Sequence, residues 1–298
     1  MWFKNLQVYV LPKNWAFSAA DLEVALAPHK FAPCGPSELL RQGFFSPREN
    51  ESLVHVVNKQ MLICLRSEKK LLPSSVINQV AKARAAEMEE AQGFAPGKKA
   101  MKELKERVAD ELMPRAFSLY STIWAWIDPV NGWLMVDSAS PSKADEIVKA
   151  LLKAIDKLPL ESLRVQSSPV SAMTTWLQED DAPAGFTVDM DTELRATGES
   201  RAAVRYVRHS LEGDEVRRHI SAGKQCTRLA MTWDSKISFV LTESLAIKII
   251  KPLDVITEKE SSTKNDDERF DGDFMLMTGE LSKMMGDVVE SLGGFAKA

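Results

Sequence analysis

"FSLYSTIWAWIDPVNGWLMVDS", residues 117–138, carries the clearest structural signal in this chain. Aromatic and β-branched residues, which favour strands, lie on both sides of a central segment at 128–132. That segment reads Asp-Pro-Val-Asn-Gly, and turns prefer these polar, Pro and Gly residues. The stretch therefore predicts a β-hairpin.

The sequence before this hairpin predicts another strand, a helix and a second hairpin. Residues 3–10 are expected to form a strand, and Ser18 is a suitable N-cap for the helix that follows. Residues 53–57 and 61–66 then predict two strands joined by a tight turn.

Two helices are expected before the first hairpin and one after it. Pro73 stands at the start of a long helical pattern, which is interrupted at Gly93 before a second helix at 98–113. Residues 142–157 predict an amphipathic helix. The acidic stretch at 179–199 then predicts an exposed connection or a subdomain boundary, because it holds seven acids against one arginine.

Beyond the acidic stretch, the pattern changes to strands that alternate polar and apolar residues. TRLAMTW, KISFVL and LAIKII, all within 227–250, predict a meander with one wet face. The last segment predicts a helix whose apolar stripe recurs every three or four positions: Phe274, Met277, Leu281, Met284, Val288 and Leu292. We expect this stripe to be core. The alternative is a protein-interaction module without DNA binding, whose Met-rich stripe docks a partner helix.

The composition is that of a folded chain with a slight excess of acid. Its 298 residues are 45% hydrophobic and carry a formal net charge of −4. The apolar runs are far shorter than the roughly 20 residues of a membrane helix, and no basic leader is present, so we expect a cytoplasmic protein. Cys34, Cys64 and Cys226 show neither zinc nor redox spacing, and we expect no cofactor.

Positive charge is concentrated at 201–220, RAAVRYVRHSLEGDEVRRHI, where five arginines and two histidines face three acids. Over 201–251, ten Lys and Arg residues face five acids. We expect a strand at 201–209 and a helix at 213–222 to project arginines toward one surface, which would favour phosphates. The alternative is that these arginines solvate a sheet face and pair with the acids at 179–199.

Catalytic motifs are absent from the sequence, which has no P-loop, no dinucleotide-binding glycine pattern, no HExxH and no GxSxG. One alternative hypothesis is a metal-dependent nuclease or another DNA-processing enzyme. Its candidate ligands are Asp137, Asp271 and Asp273, because carboxylates hold the metal ions of such enzymes.

Six segments stand out in order along the chain: MWFKNLQVYVL (1–11), FAPCG (31–35), LLPSSVI (71–77), LMPRAFS (112–118), WIDPVNGWLMVDSAS (126–140) and FDGDFMLMTGEL (270–281). Together they resemble the RdgC family of bacterial recombination-associated proteins. The resemblance runs from the first residue nearly to the last. Val10 departs from it, because a basic residue is expected in the VYRL form of the opening.

The resemblance implies a non-enzymatic, nucleoid-associated protein that binds DNA without sequence preference. It implies a ring-shaped homodimer that encloses duplex DNA in a positively lined hole, and that restrains RecA-promoted recombination by occupying the DNA. Two questions stay open: whether single strands are also bound, and whether RecA is contacted directly.

The fold expected is α+β, with antiparallel sheets and long helices in an elongated protomer of several subdomains. Four regions are expected along the chain. They are an N-terminal α+β region at 1–72, a projecting helical region at 73–116, a central hairpin and helix region at 117–178, and a C-terminal α+β region at 179–298.

The resemblance also assigns candidate residues, because it places the PRAFS and RYVRHS segments near the dimer opening or the DNA-facing surface. The phosphate candidates are Arg115, Arg205, Arg208 and His209, to which Arg217, Arg218, Lys224 and Lys248 are added. Phe117 is the candidate dimer-interface residue, and ordinary core packing is its alternative.

Overall fold

Two antiparallel β-sheets and the helices around them make this chain an α+β protein. The structure, a computed structural model, describes residues 2–12, 15, 17–48, 50–199, 201–257 and 265–296. The strands are β1 (Gln7–Val10), β2 (Leu40–Phe45), β3 (His55–Val57), β4 (Gln60–Leu71), β5 (Phe117–Asp128), β6 (Trp133–Val136), β7 (Glu161–Ser162), β8 (Phe186–Ala196), β9 (Ala203–Tyr206), β10 (Lys224–Trp233), β11 (Ile237–Thr242) and β12 (Ile247–Pro252). The helices are α1 (Ala19–Leu26), α2 (Ser74–Gln92), α3 (Lys98–Leu112), α4 (Pro141–Ala154), α5 (Pro169–Glu179), α6 (Asp214–Ser221), α7 (Asp254–Thr257) and α8 (Asp266–Ser291).

The hairpin predicted at 117–138 is confirmed as β5 and β6. At its turn, the Asp128 carboxylate accepts hydrogen bonds from the backbone N–H groups of Val130 and Asn131 at 3.0 and 3.1 Å. Asp favours turns because it can bond backbone groups in this way. The first sheet has the order β2-β4-β5-β6-β1-β7, with β3 beside β4, so this hairpin lies at its centre.

The other predictions for the N-terminal half are largely confirmed. Ser18 caps α1 in a reciprocal capping box with Asp21. β3 and β4 form the second hairpin, and Gly93 ends α2 with a left-handed φ of 81°, which glycine adopts readily. The first strand is shorter than predicted, since β1 begins only at residue 7.

The second sheet has the order β12-β11-β10-β8-β9, and its first three strands are the predicted meander. It is joined to the first sheet just before β1. The Leu6 N–H donates to the Ile247 carbonyl at 2.7 Å, and the Ile247 N–H donates to the Leu6 carbonyl at 3.0 Å. Residues before β1 therefore cover the edge of β12.

The expectation of an exposed connection at 179–199 is wrong. Residues 186–196 form β8, which lies between β10 and β9 and contributes the buried Leu194 to the core. Its sequence, FTVDMDTELRA, alternates apolar and polar residues, which is the pattern of a half-buried strand. Three of the seven acids, Asp189, Asp191 and Glu193, alternate along this strand, and the other four lie outside it. The helix α5 was also not predicted, and α4 ends at Ala154, before the predicted 157.

Apolar side chains form two main cores and a small third one. The large core lies between the second sheet, α5, α6, α8 and the face of the first sheet that carries Leu62 and Trp126. The second core lies on the opposite face of the first sheet, under α1 and α4. A small cluster holds α2 against α3. The division into four regions stays a prediction.

The apolar stripe of α8 belongs to the large core. All six of its predicted residues are buried: Phe274, Met277, Leu281, Met284, Val288 and Leu292. The alternative in which this stripe docks a partner helix is therefore wrong, because the stripe is already covered by both sheets. No helix within the described part of the chain is long and apolar enough to cross a membrane.

Candidate nucleic-acid interface

The second sheet turns one face toward the large core and the other, here called the outer face, away from it. Leu229, Leu241 and Leu194 point into the large core. Because successive side chains of a strand point to opposite faces, their neighbours point outward. The charged residues that this alternation and the strand register place on the outer face are Asp189, Asp191, Glu193, Arg195, Arg205, Arg228, Lys248 and Lys251.

A row of charged side chains crosses three strands of this face. Arg205 on β9 lies opposite Glu193 on β8, which in turn lies opposite Arg228 on β10. Arg205 Nη2 and Arg195 Nη2 each donate to the Glu193 carboxylate at 2.7 Å. The bond from Arg205, followed by that from Arg195, holds the pKa of the Glu193 carboxyl below its ordinary value.

Three cations of the outer face have no carboxylate partner among the described residues. Arg228, Lys248 and Lys251 make no ion pair with any residue that the structure describes. Arg228 and Arg205 border a shallow cavity of about 160 Å³ whose lining also includes Ile249 and the carboxylates Asp191 and Glu193. Unpaired cations on an open sheet face can bind anions without first breaking an internal contact.

Arg208 and His209 lie in the loop that follows β9. The backbone N–H of Arg208 donates to the Asp191 carboxylate at 2.6 Å, which leaves the exposed guanidinium available. His209 Nδ1 lies 2.7 Å from the Ser210 carbonyl, and its ring centroid is 5.2 Å from that of Tyr206. This loop is at the free edge of the second sheet, beside Arg205.

The expectation that these arginines and those of α6 face one surface is wrong. α6 packs into the large core through Val216 and Ile220, on the side of the second sheet opposite Arg205. Arg217 is 3.6 Å from the Asp180 carboxylate, which confirms in part the alternative of pairing with the acids at 179–199. Glu193 pairs with Arg205 in the same way.

The remaining candidates of this group lie near the same helix. Arg218 Nε donates to the Asp214 carbonyl at 3.3 Å. Lys224 Nζ is 3.2 Å from His219 Nδ1. The phosphate roles of Arg217, Arg218 and Lys224 stay predictions, separate in place from those of Arg205 and Lys248.

Arg115 is exposed and lies next to the first sheet, at the end of a short 3₁₀ turn, Met113–Arg115, that precedes β5. Among the described residues, no hydrogen bond or ion pair connects Arg115 to the outer face. Phe117, two residues later, is 83% exposed. Core packing of Phe117 is therefore wrong, and its interface role stays a prediction.

Phe117 is part of an exposed apolar strip at one end of the first sheet. The strip consists of Leu40 on β2, Leu71 on β4, and Phe117 and Leu119 on β5. Register places Leu71 opposite Phe117, and Lys69 opposite both Leu40 and Leu119. These residues continue the face that carries the second core, beyond the part that α1 and α4 cover.

Two of the three unpaired outer-face cations, Arg228 and Lys251, were not singled out by sequence reasoning. Arg228 lies in TRLAMTW, where alternation with Leu229 and Met231 could have placed it on the wet face. The lack of an ion pair between Arg228 and any described residue could not be predicted, because Glu193, which lies opposite Arg228, accepts its arginine hydrogen bonds from Arg195 and Arg205 instead.

The three acids of the nuclease hypothesis do not form one site. Asp137 accepts the backbone N–H groups of Lys4 and Asn5 at 3.1 and 2.9 Å, and burial raises the pKa of its carboxyl. Asp271 lies on α8, 2.8 Å from Arg48 Nη1 and 2.9 Å from His55 Nε2. Asp273 is two residues further along α8. Among the residues that the structure describes, no three His, Cys, Asp or Glu side chains form a metal-binding group.

The fold and the outer face define an α+β protein that presents unpaired cations on an open antiparallel sheet. A family model described as "Putative exonuclease, RdgC" matches residues 1–295. The recombination-associated protein RdgC of Herminiimonas arsenicoxydans is 65% identical over 99% of this chain and 98% of the relative. Those of Janthinobacterium sp. (strain Marseille) and Bordetella pertussis are 66% and 57% identical, each over 99% of this chain and 98% and 99% of the relative. The chain belongs to the RdgC family.

Proposed function

We propose that this protein binds DNA without sequence preference, as a ring-shaped homodimer that encloses the duplex and restrains RecA-promoted recombination. The observation that carries the DNA-binding part is the set of unpaired cations, Arg228, Lys248 and Lys251, on the outer face of the second sheet. Membership of a family of recombination-associated proteins supports DNA as their ligand. A cytoplasmic, nucleoid-associated location follows from this proposal.

Phosphate binding by this face would be electrostatic. Each Lys or Arg that approaches a phosphate releases counterions condensed on the DNA, and this release supplies affinity that does not depend on base sequence. Arg205 and Arg208, beside the unpaired cations, can join them, because both side chains are exposed. Arg205 would keep Glu193 as a partner that fixes its direction.

The homodimer part of the proposal is supported by the apolar strip of Leu40, Leu71, Phe117 and Leu119. Lys69 lies between Leu40 and Leu119, and the exposed apolar side chains around it are costly in water. Clusters of exposed apolar side chains mark interaction sites. A symmetric dimer would bury the same strip of both protomers. Two protomers that close around a duplex would then deny that DNA to RecA.

The proposed DNA surface is tested by fluorescence anisotropy of a labelled random duplex, titrated with protein over a series of salt concentrations. The variant Arg228→Gln/Lys248→Gln removes two unpaired charges without leaving an acid unpaired. We expect weaker binding, and a salt slope shallower by about 1.8, since each neutralised phosphate contributes roughly 0.9. An unlabelled single strand, added as competitor, measures the preference for duplex.

The matched control is Lys59→Gln/Lys283→Gln, which removes two exposed lysines outside the outer face: Lys59 in the turn between β3 and β4, and Lys283 on α8, which is paired with Glu280 at 3.4 Å. It should leave affinity and slope unchanged. If the wild type binds but both variants behave alike, the DNA surface lies elsewhere. If the wild type does not bind at low salt, the DNA-binding function is wrong for this chain.

A second candidate function is exonuclease activity, which the description of the matching family model favours. An end-labelled linear duplex, incubated with the protein and Mg²⁺ or Mn²⁺, separates the two functions. A binder shifts the duplex on a native gel and leaves its ends intact. Shortened products that disappear with a chelator would establish the nuclease instead.

A further inference from the structure

A basic groove lies on the first sheet, between the edge strand β2 and α4, and none of the candidate site residues discussed above line it. Its volume is about 430 Å³. Its floor contains Gly43 and Phe44, one wall is the segment 28–32, and the other wall is the face of α4 that carries Glu146, Lys149 and Lys153. A concavity of this size can hold a small ligand or a short part of a polymer.

A glycine in β2 makes this groove possible. A Cβ atom at Gly43 would lie 2.5 Å from Phe31 Cα and 2.9 Å from the His29 carbonyl oxygen. The segment 28–32 can therefore cross the strand at close range, where the Phe31 N–H donates to the Phe44 carbonyl at 2.7 Å. This crossing holds Lys30 at the rim of the groove, facing α4 across β2.

The charges of the groove are predominantly positive. Lys30, Lys149 and Lys153 are exposed and make no ion pair with any other described residue. Lys149 and Lys153 are four residues apart on α4, so they are neighbours on the helix surface. Arg41, a fourth cation, is held by Glu38 at 2.7 Å.

The one carboxylate that lines the groove does not neutralise these lysines. Glu146 accepts a hydrogen bond from Gln42 Nε2 at 2.7 Å and is paired with Lys143 Nζ at 2.8 Å. Both of its oxygens are thus engaged by other residues. Three ammonium groups around a concave site then attract a multiply charged anion, for which phosphate oxygens are suitable acceptors.

We propose that this groove is a second anion site, which binds successive phosphate groups through Lys30, Lys149 and Lys153. The phosphates can come from an oligophosphate or from the backbone of a nucleic acid strand. The site is distinct from the outer face, because α4 and the segment 28–32 pack on the first sheet. If the source is nucleic acid, the protein holds DNA at two separate surfaces.

The test uses inorganic tripolyphosphate, followed by isothermal titration calorimetry on the full chain. Lys149→Glu/Lys153→Glu changes two exposed helix residues and should preserve the fold. We expect it to lower the affinity for tripolyphosphate at least roughly tenfold, because two phosphate contacts become repulsive. Lys59→Glu/Lys283→Glu, with the same change in net charge, and Arg228→Gln/Lys248→Gln should retain it.

Equal affinity of the groove variant and the two controls would overturn the proposal, as would the absence of tripolyphosphate binding by the wild type. A labelled duplex in the same assay identifies the source of the phosphates. A loss of duplex affinity in the groove variant assigns the site to nucleic acid, and unchanged duplex affinity assigns it to free oligophosphate. Tripolyphosphate binding without any duplex binding would reject the proposed DNA function while supporting the groove.

Discussion

At the scale of single residues, Glu193 determines how much of the positive charge around β9 is available. Its side chain is only 8% exposed, and it accepts bonds from Arg195, Arg205 and Thr227. A carboxylate removed from water in this way stabilises the fold only while it is ionised and paired. Arg205 of the positive segment and Arg195 of the acidic stretch therefore both serve structure by pairing with Glu193.

The Glu193→Gln variant should be less stable than the wild type by about 1–2 kcal/mol at neutral pH, because charged hydrogen bonds are replaced by weaker ones. The folded-state pKa of Glu193 lies below the ordinary value of 4.5. Its stabilisation is therefore complete above that value and is lost as the pH falls below it, through the folded pKa. Urea unfolding, followed by circular dichroism from neutral to acidic pH, measures this difference.

In the same experiment, the free energies of the two proteins should converge as the pH falls below 4.5. A constant difference over the whole range would show that Glu193 contributes through packing and not through its charge. Gln is the suitable replacement because it keeps the size of the side chain and can still accept one bond from Arg205.

At the scale of secondary-structure elements, α8 is the helix that both sheets pack against. Leu281 in the middle of its stripe is fully buried, whereas Met275 on the opposite side is 48% exposed. The spacing of the stripe already predicted a core role. Burial in the large core shows why Met residues are frequent there, since their flexible side chains fill irregular spaces between two sheets.

Leu281→Ala should lower the free energy of unfolding by about 3 kcal/mol, because it removes buried methyl groups and leaves a cavity. Met275→Ala on the same helix is the matched control and should change stability by less than about 0.5 kcal/mol. Thermal and urea unfolding measure both variants. Equal, small effects would mean that the helix does not carry the core.

The elements also show where local patterns mislead. The stretch at 179–199 looked like a connection because its net charge was considered before its alternation. β8 tolerates its acids because Glu193 lies opposite Arg205, and because Asp189 accepts a hydrogen bond from Thr232 at 3.0 Å. Both partners come from other strands, so only the alternation of FTVDMDTELRA could have indicated the strand in advance.

At the scale of the whole molecule, the apolar strip and the outer face belong to different sheets. The strip continues the face of the first sheet that holds the second core, and the outer face is turned away from the large core. A contact between protomers and a contact with DNA can therefore occupy separate surfaces. This separation allows the two properties to be tested with different variants.

Phe117→Asp should convert the proposed dimer to a monomer in analytical ultracentrifugation, because it places a charge within the apolar strip. Its unfolding free energy should remain close to that of the wild type, since the side chain is 83% exposed. Val24→Asp, which replaces another exposed apolar residue, 74% exposed on α1, is the control and should remain dimeric. A dimeric Phe117→Asp protein would place the interface elsewhere.

Much of the fold could be predicted from the sequence alone, because its signals are local. The turn at 128–132, the cap at Ser18, the left-handed Gly93 and the stripe of α8 each depend on residues within a few positions of one another. Backbone geometry and the burial of apolar faces act at that range. The α+β class and most helices and strands follow from these signals.

Only the tertiary structure decided which charged residues are free. Register places Glu193 opposite both Arg205 and Arg228, but its carboxylate accepts its arginine hydrogen bonds from Arg205 and Arg195, so Arg228 makes no ion pair with any described residue. The basic groove likewise needs Lys30 and Lys149, more than a hundred positions apart, on two sides of β2. Coulombic partners are set by distance in space, which a pattern along the chain does not contain.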